Sequence, residues 1–332
     1  MIKVDNTKVE QFFNVLDESA MVIYEKTKKP YLECLVDTSE NILSAEIDDD
    51  KLDADDISNL EEIYSRVKSQ AFNKEEIRKA YQLAMLKGFK HANTRLSEVT
   101  PDSIGILCSY FINKFFGKDD CVDVLDPNVG TGNLLFSTLN GMDMKARKIT
   151  GVDFTMKKME LALMLAQLTD YDVQFYNQSG LKNMLVDPVD VLISDLPNVY
   201  MTKEAVDQSL LFDKGLNYAP YLFVENSLKY VKPDGYFIFL IPNDFFSREG
   251  ADTIREMILS QTHMKALIGL PETMFSSKEL GKSILILQKR DQNHKVNISK
   301  EILVMQFPSF NEVDRVKKAI ANIDEWFLNE KQ

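Results

Sequence analysis

Cysteine is scarce in this sequence: Cys34, Cys108 and Cys121 are the three in 332 residues, and no two form a CxxC pair. An odd, widely spaced set supports neither a disulfide framework nor a zinc site. Histidine is equally rare, and His91, His263 and His294 show no ligand spacing. Each reads as a surface or capping residue, and no metal is expected. No apolar run approaches the roughly 20 residues that span a bilayer, so no membrane partner is expected. The opening stretch MIKVDNTKVEQFF lacks the apolar core of an export signal. These absences describe a reduced, cytoplasmic protein. Positive charge is also short, with a formal net charge of -12. Between Asp37 and Glu62, eleven acidic residues face one lysine, so the other 306 residues carry only -2. The stretch DDDKLDADD therefore reads as a solvated loop, and the charge argues against unaided DNA binding without excluding it. What remains, at 45% hydrophobic and 27% charged, is the composition of an ordinary globular protein. The length suggests two domains.

Residues 1–95 contain no alternating strand pattern. Phe12, Phe13, Val15, Leu16, Val22 and Ile23 recur at helical spacing, as do Leu32, Leu35, Val36, Ile42 and Leu43. Ile57, Leu60, Ile63, Tyr64 and Val67 form another apolar face, and Asn73 with Glu76 resembles a capping box. This predicts a helical N-terminal domain over 1–95, suited to packing on the main domain or on a second copy of itself as a homodimer. From 96 to 332 the texture changes. Apolar runs at 121–125, 149–152, 172–176, 189–194, 235–242, 264–270 and 282–289 alternate with helical stretches at 101–116, 132–140, 155–168, 219–231 and 249–260. Such alternation predicts an α/β fold with a doubly wound, mostly parallel, seven-stranded Rossmann-like sheet. Eleven residues, PETMFSSKELG, separate the last two strands. That is short for a helical crossover, so one strand is expected to run antiparallel.

The segment 121 CVDVLDPNVGTGNLLFSTL 139 reads as a strand, a turn, and a glycine pair opening a helix. In open α/β sheets the ligand lies outside the carboxyl ends of the strands, where strand order reverses. Gly130 and Gly132 remove side chains where backbone must approach a ligand. A dinucleotide fingerprint requires a third glycine, but Leu135 stands there. Asp126 and Pro127 ahead of the glycines are also foreign to that fingerprint. An acid at that place suits a cationic group such as the amino group of a methionine moiety. Asp153, at the end of the next strand, can accept both hydrogen bonds of a ribose diol. The same glycines also suit a plain strand-to-helix turn.

With these segments in order, the sequence resembles the class I S-adenosylmethionine-dependent methyltransferases, and within them the adenine-specific branch related to the modification subunits of type I restriction systems. The resemblance runs through 99 VTPDSIGILCSYF 111, DPNVGTG, GVDF, 190 DVLISDLPNVY 200, 231 VKPDGYFIFLIPNDFF 246 and 266 ALIGLPETMFSSKELGKSILILQKR 290. It extends to stand-alone YtxK-like bacterial proteins, which share a helical N-terminal domain and a Ser-Asp-Leu-Pro motif. It implies S-adenosyl-L-methionine as cofactor, held by Thr100, Asp126, Pro127, Asn128, Gly130, Gly132, Asp153, Phe154 and Ser179. It also implies a catalytic loop at Asp195, Leu196, Pro197 and Tyr200.

An exocyclic amino nitrogen on a ring is a poor nucleophile, and preorganised acceptors on its protons make it a better one. Asp195 would supply one acceptor and the Leu196 carbonyl the other, with Pro197 stiffening the turn. The usual pattern in the family places an aromatic residue fourth, to stack on a base flipped from the duplex. Here the fourth residue is Asn198, and Tyr200 is the substitute two residues later. Ser179 stands where many members carry an acid. Three functions stay open: an adenine amino-methyltransferase acting on DNA, or less favourably on RNA; a non-catalytic cofactor-binding regulator; and a protein glutamine methyltransferase. About 42 residues follow the last strand, with 311–328 reading as one closing helix. That leaves no large target-recognition domain and implies a separate specificity partner.

Overall fold

The computed structural model describes residues 3–47, 50–68, 70–92, 99–291 and 301–330. Asp48 and Asp49 of the acidic stretch, His294, and the expected domain boundary at 95/96 lie outside the described residues. Contacts divide the chain into two compact units, one of 1–109 with 130–142 and 155–173, the other of 110–129 with 143–154 and 174–332.

The first unit is built of helices: α1 (Asn6–Thr27), α2 (Tyr31–Ser44), α3 (Ala54–Lys68), α4 (Lys74–His91), the beginning of α5 (Asp102–Phe115), α6 (Asn133–Leu139) and α7 (Met156–Leu168). The three-and-four spacing of Phe12, Val15, Leu16 and Ile23 buries one stripe of α1. That helix packs against α2, α3 and α4, and α7 packs against α2 and α4. Asn73 and Glu76 do form a capping box: the Asn73 side chain accepts the Glu76 amide at 2.9 Å, and the Glu76 carboxylate accepts the Asn73 amide at 2.9 Å. A Cβ on Gly88 would stand 2.3 Å from Leu32, so the missing side chain sets how closely α2 and α4 approach. The acidic stretch is not all solvated loop. Asp53 accepts the amides of Asp55 and Asp56 at 3.1 and 3.0 Å and so caps α3, while Lys26 lies 2.8 Å from Asp56.

The second unit carries the sheet: β1 (Cys121–Asp126), β2 (Lys145–Asp153), β3 (Val173–Asn177), β4 (Val189–Asp195), β5 (Val231–Pro242), β6 (Thr262–Gly269), β7 (Lys282–Lys289) and β8 (Leu303–Gln306). Their order is β3-β2-β1-β4-β5-β7-β6-β8. Strand β1 pairs parallel with β2 and β4, β4 parallel with β5, and β7 runs antiparallel between β5 and β6. All seven expected strands are present, and the mostly parallel sheet with one reversed strand is observed. The chain steps outward from β1 to β3 and then returns to the other side of β1, so strand order reverses between β1 and β4. That reversal opens a crevice at the carboxyl ends of those two strands.

Two details depart from expectation. An eighth strand, β8, joins β6 in parallel, pairing Ala266 with Leu303. It has only four residues, none of them buried, and too short a pattern to register as a strand. The helix expected over 219–231 ends at Ser227, and β5 begins at Val231. Pro233 disfavours helical backbone in the residue before it, and Asp234 takes a left-handed φ of 62°, so the chain is already extended there. The remaining helices of this unit are α8 (Leu210–Asp213), α9 (Ala219–Ser227), α10 (Ala251–Gln261) and the closing α11 (Val313–Glu330). One core cluster joins Leu125, Leu192, Phe237, Phe239 and Leu285 of the sheet to Tyr221, Leu222 and Ile254. The hydroxyl of Tyr110 donates to Asp324 of α11 at 2.5 Å, and the Trp326 indole donates to the Glu301 carbonyl at 3.1 Å.

Candidate active site

In the second unit, Asp126, Asp153 and Asp195 end β1, β2 and β4. Asp126 is 1% exposed and accepts the Asn128 amide at 3.0 Å. Burial pushes its carboxyl up to about 8, and the charges of Asp153 and Asp195 add to the effect against the pull of the Asn128 amide. The Asn128 side chain donates to the Asp195 carbonyl at 3.0 Å and so ties the end of β1 to the end of β4. Pro127 packs against Gly180, where a Cβ would come within 2.0 Å of the Pro127 carbonyl oxygen. Asp153 is buried, and its carbonyl accepts the Asn177 side chain at 3.1 Å. Phe154 is 68% exposed. The hydroxyl of Ser179 donates to the Ala205 carbonyl at 3.0 Å. The repulsion that Asp153 and Asp195 exert on Asp126 is a setting that favours a cation beside it.

The segment after β4 is more heavily tethered than its sequence suggests. Leu196 is buried in the core, and its amide donates to the Leu240 carbonyl at 3.0 Å. The Lys282 ammonium, at the start of β7, pairs with the Asp195 carboxylate and also lies 3.4 Å from the Leu196 carbonyl. The chain turns at Pro197, whose carbonyl accepts the Val199 amide at 3.0 Å. Asn198, in the place of the usual aromatic, accepts the Tyr218 hydroxyl at 3.1 Å and Arg248 at 3.3 Å. Tyr200 is 63% exposed; its hydroxyl accepts Arg248 at 2.8 Å and its ring lies 5.5 Å from that of Tyr218. The Arg248 guanidinium sits 4.4 Å from the Tyr218 ring centroid and 2.8 Å from Asp244. An ion pair and a cation–π contact thus hold the base of an exposed tyrosine.

In the first unit, Gly130 and Gly132 have φ of 54° and 81°. A Cβ on Gly132 would meet Phe136 at 2.5 Å, whereas one on Gly130 would meet nothing within 4 Å. Gly132 is therefore required by packing as well as by φ, and Gly130 by φ alone. The Thr100 carbonyl accepts the Asn133 side chain at 2.5 Å. Asn133 is held in turn by Arg78, which is fully buried. Arg78 donates to Asn133 at 2.7 Å, to Asp102 at 3.0 Å and to both oxygens of Glu75 at 2.7 and 2.8 Å. Burial opposes the guanidinium charge, but Glu75 and Asp102 outweigh it and hold the group above its ordinary range. The network extends from Glu75 to Asn140 and from Asn140 to the Tyr171 hydroxyl, each at 2.7 Å.

Asp126, Asp153 and Asp195 were expected at the ends of apolar strands, and each ends one, whereas Asn128 was expected only through the family resemblance. Lys282, Arg248 and Arg78 carry no such signal, whereas Tyr218 reads from the sequence as a core aromatic with a stacking alternative. Lys282 reads as the polar first residue of an apolar strand, and Arg78 as one charge among many on a helix; neither has a spacing signal. Among the described residues, no group of three or more His, Cys, Asp or Glu side chains could hold a metal ion. Within the second unit the donors fit S-adenosylmethionine: a buried carboxylate suits a cationic group, and a second carboxylate at the next strand end suits a diol.

Residues 10–89 match the YtxK N-terminal helical domain, and residues 74–331 match the N-6 DNA methylase family. The uncharacterized protein YtxK of Bacillus subtilis is 34% identical over 322 residues, covering 96% of this chain and 97% of its own. A candidate class I S-adenosylmethionine-dependent methyltransferase from Listeria monocytogenes superposes with a TM-score of 0.87 at 35% identity, over 97% of this chain and 100% of that one. The methyltransferase subunit of a Streptococcus thermophilus type I restriction-modification system shares the fold, with a TM-score of 0.63 at 16% identity over 96% of this chain and 74% of the other. No helix among the described residues is long and apolar enough to cross a membrane. The chain belongs to the N-6 DNA methylase family of methyltransferases, with S-adenosylmethionine as its cofactor.

Proposed function

We propose that this protein methylates the exocyclic amino nitrogen of adenine in nucleic acid, DNA before RNA. The observation that carries the reading is the acceptor pair at the strand-order reversal: the Asp195 carboxylate and the adjacent Leu196 carbonyl, anchored to the end of β1 through Asn128. When bound, S-adenosylmethionine supplies an electrophilic methyl group on a sulfonium. The segment from Asp126 through Gly132 would hold its methionine part, Asp153 its ribose hydroxyls, and the exposed Phe154 ring its adenine. Asp195 and the Leu196 carbonyl would accept the two protons of the target amino group and hold the nitrogen towards tetrahedral geometry before charge develops. Pro197 limits the motion of that turn, and the face of Tyr200, braced by Arg248, offers the stacking surface for a flipped base. The proton leaving the methylated nitrogen passes through the Asp195 carboxylate towards solvent.

Within this reading 96–332 is the catalytic domain, working in the cytoplasm. The helices of 1–95 serve contacts, either with a second copy or with a separate specificity partner of the kind type I systems use. Sedimentation of the free protein tests the first of these. A second reading, a cofactor-binding regulator without transfer, is favoured by one observation: Asn198 is taken up by Tyr218 and Arg248. Calorimetry with S-adenosylmethionine on wild type and Asp153→Ala, followed by labelled-methyl transfer to DNA and RNA pools, separates the two. Transfer that Asp195→Ala reduces by about a hundredfold or more, with cofactor affinity retained, supports the enzyme. Cofactor binding with no transfer to either pool supports the regulator.

A further inference from the structure

We propose that Lys282 is a resident competitor for the acceptors that the target amino group must use, and so sets how strongly a substrate must bind before transfer begins. The inference rests on the amino-acceptor reading of Asp195. The Lys282 nitrogen pairs with the Asp195 carboxylate and lies 3.4 Å from the Leu196 carbonyl. An incoming amino nitrogen that bridges the Leu196 carbonyl and the same Asp195 oxygen on that side meets the ammonium, because each N–H···O contact fixes its nitrogen about 3 Å from the oxygen. Two donor nitrogens cannot occupy one such position, so Lys282 has to swing aside.

The backbone of Lys282 cannot do the leaving. It pairs with Pro242 in the β5–β7 ladder, and its carbonyl accepts the Leu270 amide at 3.1 Å. The side chain can. Its four-carbon stem is long, and the Lys282 and Asp195 side chains are 19% and 21% exposed, so the ammonium has a short path to water. The chemistry also explains why the lysine is not itself the target. Paired with a carboxylate, an ammonium carries no lone pair to attack a sulfonium methyl, so it holds the place without reacting. A neutral amino group displaces it only when the rest of the substrate contributes enough binding, as a base stacked on Tyr200 would. The competent state is then a fraction of the whole, and the apparent affinity falls by that fraction.

The test uses Lys282→Met, which removes the competing donor, and Lys282→Arg, which strengthens it through a two-pronged pair with Asp195. Steady-state methyl transfer to an adenine-containing single strand, read as KM and kcat separately, should show KM falling about tenfold in Lys282→Met and rising in Lys282→Arg. Melting temperature and S-adenosylmethionine affinity measured on the same samples should move little. Opposite shifts in KM are not produced by a merely structural lysine, whose two replacements would both weaken the protein. Intact-protein and peptide mass spectrometry after incubation with the cofactor should find Lys282 unmethylated. A methyl group on Lys282 overturns the proposal, since the nitrogen would then be substrate and not competitor. Asp195-dependent transfer by wild type, with KM unchanged in both variants, overturns the proposal alone. Absence of transfer from wild type and both variants, or transfer indifferent to Asp195→Ala, overturns the underlying function together with it.

Discussion

Lowering the pH from 8 to 6 should weaken S-adenosylmethionine binding steeply, and Asp126 should be the reason. Its carboxyl is buried at the end of β1 and pushed up to about 8, with Asp153 and Asp195 adding repulsion. A ligand that presents a cation to this group binds the ionised form. With a pKa near 8, the ionised fraction is about a hundredth at pH 6, a tenth at pH 7 and a half at pH 8, so the apparent Kd should fall about fiftyfold across that range. Calorimetry in buffers of different ionisation enthalpy should also detect close to one proton released per cofactor bound at pH 6.5. Asp126→Asn should bind more weakly at pH 8 and show no such slope. The stability of the cofactor-free protein carries the opposite sign. The folded state holds this proton above the ordinary value of 3.8, so the contribution of Asp126 to stability is present below that pH and lost as pH rises towards about 8. Asp126→Asn should therefore raise the melting temperature at pH 8 and leave it nearly unchanged below pH 4. A flat Kd profile in wild type, or one equally steep in Asp126→Asn, would refute the assignment.

Gly132→Ala should destabilise more than Gly130→Ala, although both place a side chain at positive φ. Each carries the left-handed cost of about 1–2 kcal/mol, but only at Gly132 must Phe136 also move, and denaturant midpoints will rank them. Arg78→Met should cost about 3–5 kcal/mol by leaving Glu75 and Asp102 charged and unpaired, and adding Glu75→Gln should recover part of that loss in thermal melts. Tyr200→Ala should raise KM for nucleic acid by the equivalent of about 1–3 kcal/mol, the range of base stacking on an aromatic ring. Tyr200→Phe, which keeps the ring, should stay close to wild type, and neither change should alter cofactor affinity. Equal KM values for the two variants would remove Tyr200 from the stacking role.

Much of the fold was legible because its signals are local. Apolar runs alternating with helical stretches marked seven of the strands, Asn73 with Glu76 marked the start of α4, and a short link marked the reversed β7. The carboxylates of the site were legible for a related reason: Asp126, Asp153 and Asp195 each follow directly on an apolar strand. The remainder depended on contacts between segments far apart in the chain. Lys282 meets Asp195 across 87 positions, and Arg78 meets Asn133 across 55. Arg248 reaches Asn198 across 50 positions. No pattern within a window of residues encodes such pairs. The loss of the aromatic at Asn198 could be read from the sequence, but not that Tyr218 and Arg248 grip the asparagine in its place.

The buried guanidinium of Arg78 bears on how this protein was assembled. Arg78 belongs to a stretch matched both by the N-terminal helical domain, 10–89, and by the methylase family, 74–331. It neutralises Asp102 and orients Asn133, which are far along the chain. A truncation that begins at residue 96 would leave Asp102 without its counterion and Asn133 without its donor. Helix α4 is therefore not a detachable accessory of the methylase portion. Shuffling the methylase portion into another protein would have to carry α4 with it.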